Sequence, residues 1–292
     1  MPVRTQTASK EKMVRTAAVL LFWDYDTQWG ADRSRSPGGA KTWGRLEFEN
    51  TERLLELHAK YDVAACFAVV GAAALPGNRP YHDPAQIRRI HCAGHEVASH
   101  AFQHEWLPAL NWKALLETLR CSKDALEQCV GARVISFIPP FNQPVDYMKR
   151  GSFSLSERRE CGRERTNLRR LCAALGETGY DFCRVSYRPM SQRIAELLAG
   201  RRLDRPSGRE EIADITCVRL NTPGGFNAPA MKMLNRCAEE GGLAVIYGHP
   251  HSLLSGGTQD QTYLIPFLER VDQLRQAGRL HVRLPSDIVG NG

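Results

Sequence analysis

Residues Ala17 to Trp23 (AAVLLFW) form an unbroken apolar run, and no other stretch so narrows what this chain can fold into. A run without a polar break fits a strand buried on both faces, as in the interior of a parallel sheet. Shorter runs recur down the chain, usually with a helical pattern between them. Val63 to Val70, His95 to Ser99, Val134 to Ile138, Tyr180 to Tyr187, Ile215 to Leu220, Leu243 to Tyr247 and Leu280 to Leu284 read as strands. Helices are expected at Arg45 to Lys60, with Leu46, Leu54, Leu55 and Leu57 as its apolar positions, and from Asp83 to near Gly94, with Pro84 in the first turn. Others are expected from Asn111 to Val130, closed by Gly131, and at Leu168 to Leu175, Ser191 to Leu198, Ala228 to Glu240 and Thr262 to Gln276. Strands alternating with helices define an α/β chain with a parallel sheet or barrel. Without a linker-like stretch or internal repeat, residues 16–292 read as one domain behind an extension at 1–15.

Composition excludes several classes. Charged residues make up 24% and hydrophobic ones 42%, enough apolar material to fold. The longest apolar stretches, Ala17 to Trp23 and Val63 to Gly77, fall short of the roughly 18 to 20 residues of a membrane-spanning helix. Met1 to Arg15 has no apolar signal core, and the 9 cysteines form no C-x-x-C pair, so a cytoplasmic protein with reduced thiols is expected. The net charge of +7 is regional: Lys149 to Arg170 holds eight basic and three acidic residues, and Arg184 to Arg209 seven and two. Arginine's planar fork suits phosphate and carboxylate. No finger spacing, helix-turn-helix cue or aromatic-interleaved basic repeat accompanies it, so nucleic acid is not an expected partner.

Polar clusters follow the strand ends, where sites assemble in α/β folds. Asp24 and Asp26 close the first strand, and two carboxylates so close need a cation, a shared proton or hydrogen bonds. Either one binds a metal and the other acts as a base, or both serve as turn and cap residues. His100 and His104 are four apart, which on a helical turn puts both rings on one face, ready for a metal. His249-Pro-His251 follows the apolar AVIY strand, and His249 is either a general acid or a loop histidine.

Taken in order, Asp24-Tyr-Asp26, Gly94-His-Glu-Val-Ala-Ser-His100-Ala-Phe-Gln-His104, Phe137-Ile-Pro-Pro-Phe-Asn142 and Val245-Ile-Tyr-Gly-His249 resemble the polysaccharide deacetylase family, the NodB-like carbohydrate esterases. The resemblance spans residues 16–252 and is most specific over Gly94 to His104. It implies a distorted (β/α) barrel of about seven parallel strands. Asp26, His100 and His104 would bind a divalent metal, zinc above all. Asp24 would be the general base and His249 the general acid, in hydrolysis of an N-acetyl group. The backbone N–H of Phe141 would help hold the oxyanion.

Several positions depart from the family pattern. Tyr25 splits its Asp-Asp pair, as in the branch with an Asp-x-Asp first motif, and Ala101 replaces a threonine. Ile138 replaces the arginine that pairs with the base, so Arg219 or Arg33 is expected to take its place. Phe141 and Asn142 replace a tyrosine and a glycine. The Trp-containing fourth motif is absent, and Asn221-Thr-Pro-Gly-Gly occupies its approximate place. Trp29, Arg33, Phe141, Asn142, Arg219 and His251 are the expected substrate contacts, with Trp43 able to stack on a sugar or to pack. The arginine-rich insert at about 142–170, with Arg33 and Arg35, suits an anionic sugar-phosphate precursor. The expectation is a cytoplasmic hydrolase acting on an N-acetylated surface-polysaccharide precursor of O-antigen type, with oligomers possible. The alternatives are an amidohydrolase for a non-sugar amide and a non-catalytic saccharide-binding relative.

Overall fold

The computed structural model describes residues 16–34, 41–144, 166–185, 206–253 and 261–290, together with Leu198. The N-terminal extension, Arg35, most of the arginine-rich insert and, Leu198 apart, the helix expected at Ser191 to Leu198 lie outside the described residues.

The apolar run is β1 (Ala17–Tyr25), and all of its residues are buried. It lies inside the sheet, parallel to β2 (Cys66–Val69) on one edge and to β8 (Gly242–Gly248) on the other, while β9 (His281–Val282) pairs with its start. From β2 the sheet continues through β3 (Glu96–Ser99), β4 (Ser136–Phe137), β5 (Phe182–Val185) and β7 (Ile215–Arg219). The seven parallel strands from β7 to β8 curl into a half-barrel, the architecture implied by the sequence. One strand had no sequence signal. β6 (Arg209–Ile212) is an antiparallel edge joined to β7 by a tight turn through Ala213 and Asp214, with half-exposed, charged side chains. Such a strand carries no apolar run to reveal it.

Around the sheet lie α1 (Thr27–Asp32), α2 (Gly44–Tyr61), α3 (Pro84–Cys92), α4 (Trp112–Val130), α5 (Leu168–Glu177), α6 (Ala228–Glu240) and α7 (Gln261–Gln276). Asp83, Asn111, Asn167 and Asn227 cap α3, α4, α5 and α6 through side-chain oxygens that accept from backbone N–H groups. The face that α2 turns inward differs from expectation. Glu47, Thr51, Leu54 and His58 are buried, whereas Leu46, Leu55 and Leu57 are only half-buried. His58 makes this possible as a neutral ring. Its Nε2 accepts from Trp23 Nε1 at 2.8 Å, its Nδ1 donates to Val63 O at 2.7 Å, and burial pushes its pKa down to about 3.

Residues at the place of the missing fourth motif close the seam beside β8. Ser207 and Leu243 exchange backbone hydrogen bonds of 2.8 and 2.9 Å. Asn221, just past β7, donates Nδ2–H to Leu243 O at 2.7 Å and accepts from Val245 N at 3.1 Å. A side-chain amide thus stands in for a strand neighbour: it accepts from the Val245 N–H and gives Leu243 O, already bonded to Ser207 N–H, a second donor.

Candidate metal and catalytic site

A cavity of about 600 Å³ opens over the C-terminal ends of β1, β3, β4 and β8, lined by Asp24, Asp26, His100, His104, Phe141 and His249 among others. Asp26 follows β1 and occupies the N-cap position of α1, yet its side chain caps nothing. The turn-and-cap alternative for this carboxylate is thereby removed. Gly30, one turn on, explains how Asp26 is seated: a Cβ at Gly30 would lie 2.5 Å from the Asp26 Cβ. Gly30→Ala is therefore expected to push the carboxylate aside and lower metal affinity about 10- to 100-fold, as supporting substitutions at metal sites do. Metal titration of the folded variant checks this, and wild-type affinity would show that the seat is not needed.

His100 leaves β3 between the ends of its neighbours. Its backbone N–H donates to Val69 O at 2.8 Å, and its Nδ1 donates to Ile138 O at 2.7 Å. That bond fixes the tautomer and leaves the Nε2 lone pair free to bind a metal, as backbone carbonyls behind metal-binding imidazoles do.

The segment from His100 to His104 is not a helical turn. Ala101 and His104 both have left-handed backbone angles, φ 62° and 60°. The loop holds this conformation because its backbone groups are tied down. Ala101 O accepts from Gly71 N at 2.9 Å and Ser122 Oγ at 3.0 Å, Phe102 O accepts from Ala72 N at 2.8 Å, and Gln103 N donates to the Glu105 carboxylate at 3.0 Å. Gly71 is required for this approach, since a Cβ there would lie 2.5 Å from Ser122 Oγ. Thr27, Phe141 and Asn142 are left-handed too. Such conformations gather at functional sites where the surroundings over-determine them.

These elements bring Asp26, His100 and His104 together, with one ligand atom from each within 4.8 Å of the others. Asp26 Oδ1 lies 3.3 Å from His100 Nε2 and 3.5 Å from His104 Nε2, and it is buried without a hydrogen-bond partner. An orphaned buried carboxylate oxygen facing two imidazole nitrogens fits a divalent transition metal with open positions for water and substrate. Burial alone would push the Asp26 carboxyl up, but His104 and His100 outweigh it and hold the pKa well below the aspartate range. The same attraction raises the pKa of His100 against its own burial. A metal ion would replace those protons, because its imidazole ligands must be neutral.

Asp24, at the end of β1, has a different partner from either arginine expected. Arg184 on β5 grips it in a fork, Nη1 to Oδ1 at 2.7 Å and Nη2 to Oδ2 at 2.6 Å, with both side chains buried. The guanidinium lies over the Phe22 and Tyr247 rings at 5.2 and 4.6 Å, and Nη2 also donates to Asn142 Oδ1 at 3.1 Å. Asn142 in turn donates to Tyr247 Oη at 3.1 Å. Burial raises the Asp24 pKa, yet Arg184, helped by His100 and His249, brings it below the ordinary value, so the carboxylate is ionised. Arg219 instead pairs with Glu210 at 3.0 Å, since it stands at the far end of the sheet. Arg33 donates to Gln103 at 3.2 Å. Trp29 packs edge-on against Tyr81 and His82 and, like Arg33 and Arg219, is not among the residues lining the cavity.

His249 follows β8, with Nε2 4.0 Å from Asp24 Oδ2 and 4.0 Å from Asp26 Oδ2. Burial lowers its pKa against the pull of those carboxylates, which favours proton release. Phe141 packs edge-on against His104 at 4.4 Å and forms the wall opposite.

Two residues of this neighbourhood carry no motif. Arg184 had a signal of a kind, a cation inside a strand-like segment, where burial demands a carboxylate partner. Glu47 had none, because an acidic residue in a first helical turn is ordinary.

Together these features define a class: a parallel half-barrel with a His-His-Asp cluster able to hold a metal and a second, arginine-paired carboxylate at its C-terminal edge. Residues 41–152 match the model of the polysaccharide deacetylase family. That segment contains His100 and His104; Asp24, Asp26, Arg184 and His249 lie outside it. Among solved structures, a candidate polysaccharide deacetylase from Mycobacterium smegmatis is 18% identical, with 98% of this chain and 93% of that one aligned and a TM-score of 0.62. It shares the fold. A family 4 carbohydrate esterase from Streptomyces lividans, solved with acetate, is 14% identical, with 92% of each chain aligned and a TM-score of 0.47. No curated protein sequence matches.

Proposed function

We propose that this protein is a metal-dependent hydrolase that removes the acetyl group from an N-acetylated saccharide. The carrying observation is the juxtaposition of an ionised, arginine-held Asp24, an orphaned Asp26 oxygen facing two histidines, and His249 within 4.0 Å of both carboxylates. Binding alone has no use for a base and an acid flanking a metal set.

Asp26, His100 and His104 would hold the ion, with zinc the metal best suited to two imidazoles and a carboxylate. Bound there, it supplies Lewis acidity for the acyl oxygen and for a water. Asp24, ionised and immobilised by Arg184, takes a proton from the attacking water through an oxygen on the cavity side. The Phe141 N–H would donate to the negative charge that develops on the acyl oxygen. The Nε2 of His249, when protonated, gives its proton to the departing amine nitrogen, which closes the proton balance.

The substrate is a cytoplasmic precursor of a surface polysaccharide of O-antigen type, a nucleotide- or lipid-linked amino sugar. One sequence feature supports a phosphate-bearing precursor: the basic excess is regional and rich in arginine. The test is acetate release from a panel of N-acetylated sugars, nucleotide sugars and lipid-linked saccharides with zinc restored. Asp24→Asn is expected to keep its metal and lose about 10²- to 10⁴-fold in rate. Full activity in that variant would remove Asp24 as the base, and no acetate from any substrate would remove the deacetylase reading.

A further inference from the structure

Beside the metal-binding set, the cavity wall carries a second polar construction that the proposed steps do not use. His251 sits in the turn after β8, and its ring is held from three sides. Its Nδ1 lies 3.1 Å from Glu47 Oε2, its face lies flat against Trp43 at 4.3 Å and 11°, and His249 is 5.1 Å away between centroids. Asn50 on the same helix ties the turn down, donating to Pro250 O at 2.8 Å. A ring fixed this firmly has one polar atom left. Nε2 has no partner among the described residues and is not sealed from solvent, and His251 and Ser252 together line the cavity.

Charge decides what this atom can read. Glu47 is fully buried, and burial raises its pKa to about 7 despite the pull of His251. Burial also opposes charge on His251, but Glu47, with Asp26 and Asp24 behind it, more than offsets that and raises the ring's pKa. The pair therefore holds a proton near neutrality, with a donor at Nε2. Asp24 is matched by Arg184 and Glu47 by His251, so a divalent ion on Asp26 leaves this end of the cavity net positive. Trp43 cannot offer the His251-covered face to a sugar, which makes polar recognition the business of this wall.

We propose that His251, clamped by Glu47 and Trp43, is a specificity-determining residue that donates from Nε2 to an anionic oxygen, carboxylate or phosphate, on the acylated substrate. The assignment rests on the deacetylase reading and names the substrate feature that reading leaves open. A charge-assisted hydrogen bond of this kind is about twice as strong as a neutral one.

Three probes separate the sources of the charge: N-acetylglucosamine, which is neutral, N-acetylmuramic acid, which adds a carboxylate, and N-acetylglucosamine 6-phosphate. Affinity for the zinc-loaded protein is measured by calorimetry, and acetate release is followed in parallel. The wild type is expected to prefer at least one anionic probe over the neutral one by about tenfold or more, and the preferred probe identifies the anion. In His251→Gln and in His251→Phe, which keeps the ring stacked on Trp43, that ratio is expected to collapse to within about twofold. A wild type without preference, or a preference that survives in both folded variants, overturns the assignment. Discrimination without acetate release would leave His251 standing and remove the deacetylase reading; acetate release from all three probes at equal rates, unchanged in selectivity by the variants, would do the reverse.

Discussion

His104→Asn is expected to give a folded protein that no longer retains its metal. Asparagine tolerates the left-handed angle that His104 adopts (φ 60°), so the substitution removes the imidazole without straining the loop further. Supporting substitutions around metal sites typically cost about 10- to 100-fold in affinity, and loss of a direct ligand is expected to exceed the upper figure. The remaining pair, Asp26 and His100, would still face each other at 3.3 Å. Two ligands do not make the three-sided set that holds an ion against dilution. Elemental analysis after gel filtration reads the loss directly. Melting supplies an independent check, because an ion that binds only the native state stabilises it by mass action, about 2.7 kcal/mol at a hundredfold excess over Kd. Added zinc is expected to raise the wild-type Tm and leave that of the variant unmoved. An equal rise in both would mean that the ion sits elsewhere.

Arg184→Met is expected to carry the largest stability cost, about 3 to 5 kcal/mol, the range for removing one partner of a buried ion pair. Methionine fills much of the guanidinium's volume against Phe22 and Tyr247, so the loss is not mainly a cavity. It is the Asp24 carboxylate, only 3% exposed, left without the two hydrogen bonds that neutralise it. Arg184→Lys keeps a charge but not the fork, and is expected to fall between the two. Adding Asp24→Asn to Arg184→Met removes the stranded charge and is expected to recover part of the loss. Urea unfolding of the four proteins at neutral pH settles it. A cost below about 1 kcal/mol for Arg184→Met would mean that Asp24 had found water or another partner, and the account of its ionised state would fail with it.

Most of the strands were legible because burial on both faces leaves an apolar run, as in β1 and β8, whereas β6 was invisible because its side chains are half-exposed and charged. The convergence of His100 and His104 was legible from their place in an ordered motif, although the helical turn expected between them is absent. What positions those rings is a set of backbone hydrogen bonds from Gly71, Ala72 and Ser122, and spacing does not encode such ties. The partner of Asp24 was illegible for a different reason. Any arginine at a strand end satisfied the charge requirement, and the choice of Arg184 over Arg219 depends on which strand curls to face β1. Buried polar residues on α2 misled in the same way: Glu47 and His58 occupy the inner face because each finds a polar partner, His251 and Trp23, contributed by a distant part of the chain.

The place of β1 has a consequence for biosynthesis. Its partners come from opposite ends of the chain, β2 soon after it and β8 nearly at the end. Until Gly242 has been translated, the most apolar strand of the protein has one edge with no ladder to join. An unpaired edge of this composition is a template for association between chains. Nonsense mutations or stalled ribosomes that stop between His104 and β8 would release chains that carry Asp26, His100 and His104 together with a sticky edge, so such premature products are a greater hazard to the cell than mere absence of the protein.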